Sequence, residues 1–159
     1  YLIGIHIDPM IRYDGWESGY TEMIDAVLER VPPSQMAWLS FGSLRFNPEQ
    51  ERLMEHHFPG NHLHSAEMVQ GSDRKIRYVK PHRVEMYQHV ATALKPYTDA
   101  GVLTYLCMER WDMWKKVMGY SPDSIGDLDY RFAASFHKRW PHIVKHTPDK
   151  DVYIEYQDT

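Results

Sequence analysis

Two kinds of spacing between apolar residues alternate along the chain, and they predict strands separated by helices. Apolar residues at every second position over 2–7 predict a first strand, and apolar runs at 36–41 and 102–106 predict two more. Gly42 is expected to end the second strand, and residues 43–46 are expected to form a loop. Helical spacing follows each of these strands. It predicts helices over about 16–30, 48–58, 81–95, 111–118 and 125–139, several of them bounded by proline or glycine.

Two weaker patterns add further strands. Residues 63–69 and 75–79 flank Gly71, Ser72 and Asp73, whose residue types favour a tight turn, so this region predicts a β-hairpin. Near the end of the chain, Val152–Tyr156 is a candidate last strand because all its residues except Glu155 are β-branched or aromatic.

The order of these elements predicts an α/β fold. A strand followed by a helix, repeated along the chain, favours a parallel sheet with crossover helices. The units are too few to close an eight-stranded barrel. Residues 1–120 are therefore expected to form part of a partial TIM-type (β/α) barrel that includes a basic hairpin near 63–80. Residues 121–159 are expected to form a helical C-terminal extension with the candidate last strand.

Composition narrows the class of protein. Hydrophobic residues make up 43% and charged residues 25% of the chain, and the net charge of −4 argues against a surface coated with positive charge. The single cysteine, Cys107, excludes an internal disulfide framework and a self-contained iron–sulfur cluster. No apolar run is long enough to span a membrane and no signal peptide is visible, so we expect a cytoplasmic location. Because the chain opens at Tyr1 directly on a strand, we expect it to be part of a longer protein.

Polar residues at the ends of the predicted parallel strands form a candidate site. In parallel α/β folds, functional groups gather at the carboxyl ends of the strands. The rim candidates are Asp8, Ser43, Arg45 and Glu109, with Cys107 and Arg110 beside them. Such a set suits a polar, charged small molecule or a phosphodiester. The alternative is structural: Asp8 caps its loop and Arg45 pairs with Glu109.

Cys107 and the histidines are weaker candidates. A nucleophilic Cys107 needs a nearby base and a lowered pKa, and its place at the end of an apolar strand favours a buried small hydrophobe instead. His62 and His64 share one face of a predicted strand, a spacing that metals use, whereas His56 and His57 end a predicted helix. A solvated loop fits these histidines better, and no metal site is predicted.

One basic strip runs over residues 73–83. Within it, Lys75, Arg77 and Tyr78 are candidates for binding DNA, because cations contact phosphates and an aromatic ring can stack on a base. The alternative is a solvated hairpin whose charged edge discourages aggregation.

In order, these segments resemble the spore photoproduct lyase family of radical-SAM DNA-repair proteins. Residues 5–20 are similar to the family's apolar strand followed by a Gly-Trp-Glu-x-Gly-Tyr motif, which occupies Gly15 to Tyr20 here. The Leu-Arg-Phe at 44–46 is similar to the family's next strand, and 74–87 is similar to its basic hairpin. The resemblance covers roughly residues 2–98. Two departures set the chain apart from the sporulation enzymes: Asp8 replaces an uncharged residue before proline, and the extension past Val102 is foreign to them.

The resemblance implies a function that the residues alone do not. It implies that the full-length protein is a lyase that binds S-adenosylmethionine on a [4Fe–4S] cluster and acts on a thymine photolesion in DNA. This chain would be its C-terminal half, with Lys75, Arg77 and Tyr78 on the DNA side. The cluster ligands and most S-adenosylmethionine contacts belong to the family's N-terminal half. The chain alone is therefore expected to carry no cofactor and to be inactive.

Two other functions remain open at this stage. The chain could be a stand-alone nucleic-acid-binding module that uses the hairpin. It could instead be an unrelated α/β enzyme that uses the rim of Asp8, Arg45 and Glu109.

Overall fold

The described residues form six strands and seven helices, with most strands in the first two thirds of the chain. In the computed structural model, residues 1–60, 63 and 67–155 are described. The strands are β1 (Ile3–Met10), β2 (Met36–Ser43), β3 (Arg45–Phe46), β4 (Met68–Gln70), β5 (Ile76–Tyr78) and β6 (Leu103–Leu106). The helices are α1 (Trp16–Arg30), α2 (Pro48–His57), α3 (Lys80–Ala93), α4 (Lys95–Asp99), α5 (Trp111–Met118), α6 (Ile125–Arg139) and α7 (Lys150–Glu155).

A parallel sheet with the strand order β1-β2-β6 forms the centre of the fold and confirms the predicted α/β class. Helices α1 and α3 lie between its consecutive strands in the sequence, as crossover connections require. The hydrophobic core joins the sheet to α1, α3 and α5. Fully buried members from each of these elements are Ile24, Leu39, Phe41, Val90, Leu106 and Trp114.

The predicted hairpin is present as β4 and β5, and its antiparallel pairing is confirmed. Its strands are shorter than the pattern suggested, and residues 61, 62 and 64–66 lie outside the described part of the chain. The sequence pattern did not predict β3, the third strand of the sheet that contains the hairpin. Residues 43–46 were expected to form a loop, but β3 pairs with β5, placing Arg45 opposite Arg77, so the second sheet has the order β3-β5-β4.

The Gly-Trp-Glu-x-Gly-Tyr segment shapes the loop between β1 and α1. Gly15 takes a positive φ of 82°, which favours glycine, at the start of α1. Gly19 leaves room for Tyr13, since a Cβ atom there would lie 1.9 Å from the Tyr13 hydroxyl. The Tyr20 hydroxyl accepts a hydrogen bond of 2.7 Å from the backbone N–H of Ile11. The motif therefore has a structural explanation: it fixes the loop that follows β1.

The candidate last strand is wrong. Residues 152–155 belong to α7, and Tyr156 lies outside the described residues. Lys150, at the start of α7, forms an ion pair of 2.9 Å with the buried carboxylate of Asp127 on α6. The rings of Tyr153 and Tyr130 are also in contact, 6.1 Å apart. Packing on α6 thus overrides the β propensity of the segment. No helix in the described part of the chain is long and apolar enough to cross a membrane.

Replacing Gly126 with alanine should destabilise the protein. In an exposed helix this change adds up to about 1 kcal/mol of stability. Here, however, the new Cβ would lie 2.3 Å from the backbone oxygen of Tyr153, so α7 must move. We expect the free energy of unfolding to fall by about 1–3 kcal/mol. Chemical denaturation measures it, with the exposed Asp129→Ala on the same helix as the control. An unchanged or increased stability of Gly126→Ala contradicts this packing of α7.

Candidate functional site

The rim candidates do converge where the parallel strands end. Asp8 belongs to β1, Ser43 ends β2, and Cys107 and Glu109 follow β6, while Arg45 reaches back from β3. The side chains form two hydrogen-bonded groups rather than one. The first group is built on Asp8 and Arg45, and the second on Glu109.

An ion pair between Asp8 and Arg45 forms the first group. The guanidinium donates two hydrogen bonds to the carboxylate, of 3.1 and 2.8 Å, so the pair is bidentate. Both side chains are mostly buried, with 15% of Asp8 and 18% of Arg45 exposed. Arg45 also donates to the Ser43 carbonyl at 3.1 Å and lies 3.6 Å from the Cys107 sulfur. The pair therefore links the ends of all three parallel strands.

Gly42 makes room for this ion pair. The sequence suggested that Gly42 ends the second strand, but β2 continues through it to Ser43. A Cβ atom at Gly42 would lie 2.9 Å from a carboxylate oxygen of Asp8 and 3.0 Å from a guanidinium nitrogen of Arg45. Glycine is needed here because of the close approach of charged side chains, not because of a turn.

Glu109 forms the second group with residues of α3. Arg83 donates hydrogen bonds of 2.5 and 2.6 Å to its two carboxylate oxygens. The Tyr87 hydroxyl lies 2.8 Å from the Glu109 carboxylate and 2.9 Å from the Ser43 hydroxyl. The Glu109 side chain is only 5% exposed. The structural alternative in which Arg45 pairs with Glu109 is therefore wrong, because each of these two residues has a different partner.

The sequence analysis missed Arg83 and Tyr87 as members of the site. They lie four positions apart on α3, so they share one face of that helix. Their spacing could have suggested that they act together, but nothing in the sequence places Glu109 against them. Burial, followed by the nearby charge of Glu109, raises the pKa of the Tyr87 hydroxyl, which keeps it a hydrogen-bond donor.

Cys107 is not poised as a nucleophile. Burial raises the pKa of its thiol, and the neighbouring Asp8 carboxylate raises it further, outweighing the opposite effect of Arg45. A thiol with a raised pKa stays protonated at neutral pH and attacks slowly. The structure thus favours the interpretation of Cys107 as a small packing residue.

The hairpin side chains differ sharply in accessibility. Arg77 is 9% exposed and pairs with Asp73, and Tyr78 is 1% exposed. The Tyr78 hydroxyl accepts a hydrogen bond of 3.1 Å from the backbone N–H of Arg12. A ring buried in this way has no free face for a base, so the predicted stacking role does not fit Tyr78. Arg74, which the sequence analysis did not single out, is exposed in the hairpin turn.

Lys75 joins the hairpin to the rim. Its side chain lines a recess of about 320 Å³ together with Asp8 and Arg45. The remaining wall comes from Pro9 in β1, Phe46 in β3, and Asn47 and Gln50 at the start of α2. The two amides are used by the helix itself: the Asn47 side chain and the Gln50 side chain form a reciprocal capping box. Lys75 is therefore a cation of this recess whose ammonium forms no ion pair with the described residues.

The remaining candidates contribute less. His56 and His57 end α2 as expected, and their rings are in contact at 5.0 Å. His62 and His64 lie outside the described residues. Across the described part of the chain, no three His, Cys, Asp or Glu side chains are grouped closely enough to hold a metal ion. Arg110 projects into solvent, with 81% of its side chain exposed.

The thiol of Cys107 offers a direct test of the first group. Asp8→Asn removes a charge that raises the thiol pKa, so the pH at which alkylation reaches half its maximal rate should fall. At pH 8 the rate should rise on the order of a few-fold. Because the chain has one cysteine, the reaction with iodoacetamide reports on Cys107 alone. The exposed Asp14→Asn is the matched control. If the pH of half-maximal alkylation stays constant or rises in Asp8→Asn, the effect of Asp8 on the Cys107 thiol is contradicted. A change in the accessibility of the thiol alone would alter the maximal rate of alkylation at high pH but not this midpoint.

The second group should be strongly coupled. Arg83→Met leaves the Glu109 carboxylate buried without its cation, so the free energy of unfolding should fall by about 3–5 kcal/mol. In the Arg83→Met, Glu109→Gln double variant, part of this loss should be recovered, because the neutral amide needs no cation. Urea denaturation of the single and double variants measures the coupling. Strictly additive losses contradict the proposed pair.

Comparisons with known proteins point to one family. The family model described as "Spore photoproduct lyase" matches residues 1–106. One similar solved structure is a spore photoproduct lyase complexed with a dinucleoside spore photoproduct; it is 22% identical, with a TM-score of 0.51, over 65% of this chain and 33% of that one. A cysteine-to-alanine variant of such a lyase with the same ligand is 23% identical, with a TM-score of 0.53, over 67% of this chain and 34% of that one.

A third structure, a double variant with bound AdoMet and dinucleoside spore photoproduct, is 21% identical, with a TM-score of 0.50, over 67% of this chain and 33% of that one. No protein of curated function matches the sequence. The chain thus spans about one third of the length of the solved structures that it resembles. Their fold and the family model, which covers more than half of the chain, show that the chain belongs to the spore photoproduct lyase family.

Proposed function

We propose that the chain forms the DNA-facing side of a spore photoproduct lyase-like repair protein and holds DNA at a thymine photolesion. The observation that carries this proposal is the recess shared by Lys75, Asp8 and Arg45, in which a hairpin cation lies beside the polar ends of the parallel strands. Relatives with this fold are described with a dinucleoside spore photoproduct bound. Two neighbouring thymidines in a DNA strand are joined by one phosphodiester, whose charge Lys75 suits.

The structure changes which hairpin residues carry the proposal. Asp73 neutralises Arg77, and Tyr78 is buried, so both hold the hairpin together. Arg74 and Lys75 are the cations left to meet phosphates. Arg74 has a positive φ of 64°, unusual for a residue with a side chain, and this places it in the turn at the tip. The DNA contact is therefore proposed at Arg74 and Lys75.

The chemistry of the whole protein is a separate part of the proposal. We assign lyase activity that uses S-adenosylmethionine and a [4Fe–4S] cluster to the full-length protein. The residues of this chain do not fit the cluster: Cys107 is its one cysteine, and that thiol is held protonated beside Asp8. The cluster-bearing N-terminal half of the same protein is the proposed partner. Alone, the chain is proposed to bind DNA without cleaving the lesion, in the cytoplasm where the DNA lies.

One alternative is overturned and one is kept. Membership of the lyase family excludes an unrelated α/β enzyme whose likeness is only structural. The rim residues of that alternative also bind one another: Asp8 binds Arg45, and Glu109 binds Arg83. A stand-alone nucleic-acid-binding module is kept because the exposed Arg74 of the hairpin turn needs no other domain to contact a phosphate. A module of this kind would bind damaged and undamaged DNA equally.

Lys75→Glu should weaken binding to a duplex that contains the spore photoproduct by about ten-fold, because a phosphate contact becomes a repulsion. The slope of log affinity against log salt should fall by about one. Fluorescence anisotropy measures both, with an undamaged duplex of the same sequence in parallel.

The matched control is Lys145→Glu, which makes the same charge change at an exposed site outside the recess. An equal loss in both variants contradicts a specific role for Lys75. Equal affinity of the unaltered chain for damaged and undamaged duplexes supports the stand-alone module instead.

A further inference from the structure

A second depression borders the hairpin. It is a cleft of about 570 Å³ between the hairpin and the segment that joins β6 to α5. The cleft shares no lining residue with the recess of Lys75. One wall comes from 69–77 of the hairpin and the other from 108–113, which lie beyond the residues that the family model matches. The cleft is therefore formed partly by the segment in which this chain departs from its relatives.

The charges of the cleft leave one positive charge in excess. Its cations are Arg77, Lys80, Arg83 and Arg110, and its carboxylates are Asp73, Glu109 and Asp112. Arg77 pairs with Asp73, and Arg83 with Glu109. Lys80 and Arg110 share the remaining carboxylate, Asp112, and the Arg110 contact is the longer one at 3.6 Å. A phosphodiester carries one negative charge, so it matches the excess at the mouth of the cleft.

The Arg77 guanidinium at the back of the cleft is incompletely satisfied. Its Nε atom is buried and makes no hydrogen bond with any described residue. Burying a donor without a partner costs free energy, and native proteins usually avoid it. Arg77 lines the cleft, so this unpaired donor lies beside the space that a ligand would fill.

Two apolar side chains stand at the edges of this charged cleft. Val69 is 48% exposed on the hairpin side and Met108 is 62% exposed on the opposite side. Met108 has a positive φ of 56°, a backbone conformation that residues with side chains rarely adopt. Strained backbone of this kind tends to occur at binding sites. Both side chains line the cleft and add exposed apolar surface to it, which suits contact with the face of an unstacked base.

We infer that this cleft binds one unstacked nucleotide of single-stranded DNA, with the base against Val69 and Met108 and its phosphate at Arg110 and Lys80. The inference rests on the proposed function, since it takes DNA as the partner. It adds a second DNA site: the recess holds the lesion, and the cleft holds a nucleotide that the hairpin has displaced. A duplex offers no unstacked base, so the cleft selects single strands.

The test uses the 159-residue chain and a fluorescent single-stranded oligonucleotide. Arg110→Glu should reduce its affinity by about ten-fold, and Met108→Gly should reduce it several-fold through the loss of apolar surface from the cleft. Met108→Gly relieves the positive φ, so loss of folding does not explain a weaker binding. Lys145→Glu should leave the affinity within about two-fold.

Several outcomes overturn the inference. The inference is wrong if Arg110→Glu and Met108→Gly leave the affinity for the oligonucleotide unchanged. It is also wrong if Arg110→Glu and Lys145→Glu reduce that affinity equally. Stronger binding of RNA of the same sequence contradicts DNA as the ligand. Competition by a nucleoside monophosphate at the concentration of the oligonucleotide shows a site for free nucleotides instead.

A duplex with the lesion, tested in parallel, separates this inference from the proposed function. Arg110→Glu should keep the preference for damaged over undamaged duplex, because that preference is assigned to the recess. If the preference is absent in the unaltered chain, the proposed function fails. If the preference is present but Arg110→Glu leaves the affinity for single strands unchanged, only the inference about the cleft is overturned.

Discussion

The ion pair of Asp8 and Arg45 connects the two sheets of the fold. Asp8 lies near the end of β1 in the parallel sheet, and Arg45 lies in β3, which pairs with the hairpin. Two partly buried charges at 2.8 Å attract strongly, but removing either leaves the other charge without a partner in a desolvated place. The close approach also requires a residue without a side chain at Gly42. The orientation of the hairpin relative to the rim therefore depends on contacts between Asp8 and two residues far from it in the sequence, Gly42 and Arg45.

The same pair explains why the basic strip is less basic than its sequence suggests. Arg45 and Arg77 face each other across β3 and β5, where two like charges repel. Each has its own carboxylate, Asp8 for Arg45 and Asp73 for Arg77, so neither repels the other strongly or attracts a distant phosphate. The accessible positive charge is displaced to the turn, at Arg74 and Lys75. A count of basic residues cannot distinguish cations that hold a sheet together from cations that meet a ligand.

Hydrophobic periodicity predicted the parallel strands and most helices because their core faces are long enough to show a period. It missed β3, whose two residues are too few for any pattern, and it misassigned α7, whose helical state depends on the pairing of Lys150 with Asp127. The rule that parallel strands bring their carboxyl ends together predicted the convergence of Asp8, Ser43, Arg45 and Glu109. The rule could not predict the pairing, because the partner of Glu109 comes from a helix rather than from a strand end.

The two polar groups of the rim meet at Ser43, and this contact limits what the rim can do. The Ser43 carbonyl accepts from Arg45, at 3.1 Å, and its backbone N–H donates to the Tyr87 hydroxyl at 2.8 Å, while Tyr87 in turn contacts Glu109. Most of the polar groups at the centre are thus committed to one another. Arg83 extends this network to the hairpin by donating to the Tyr78 carbonyl at 3.0 Å. The centre is therefore occupied by its own contacts, and the proposed DNA binding is assigned to the cations at its margin, Arg74 and Lys75.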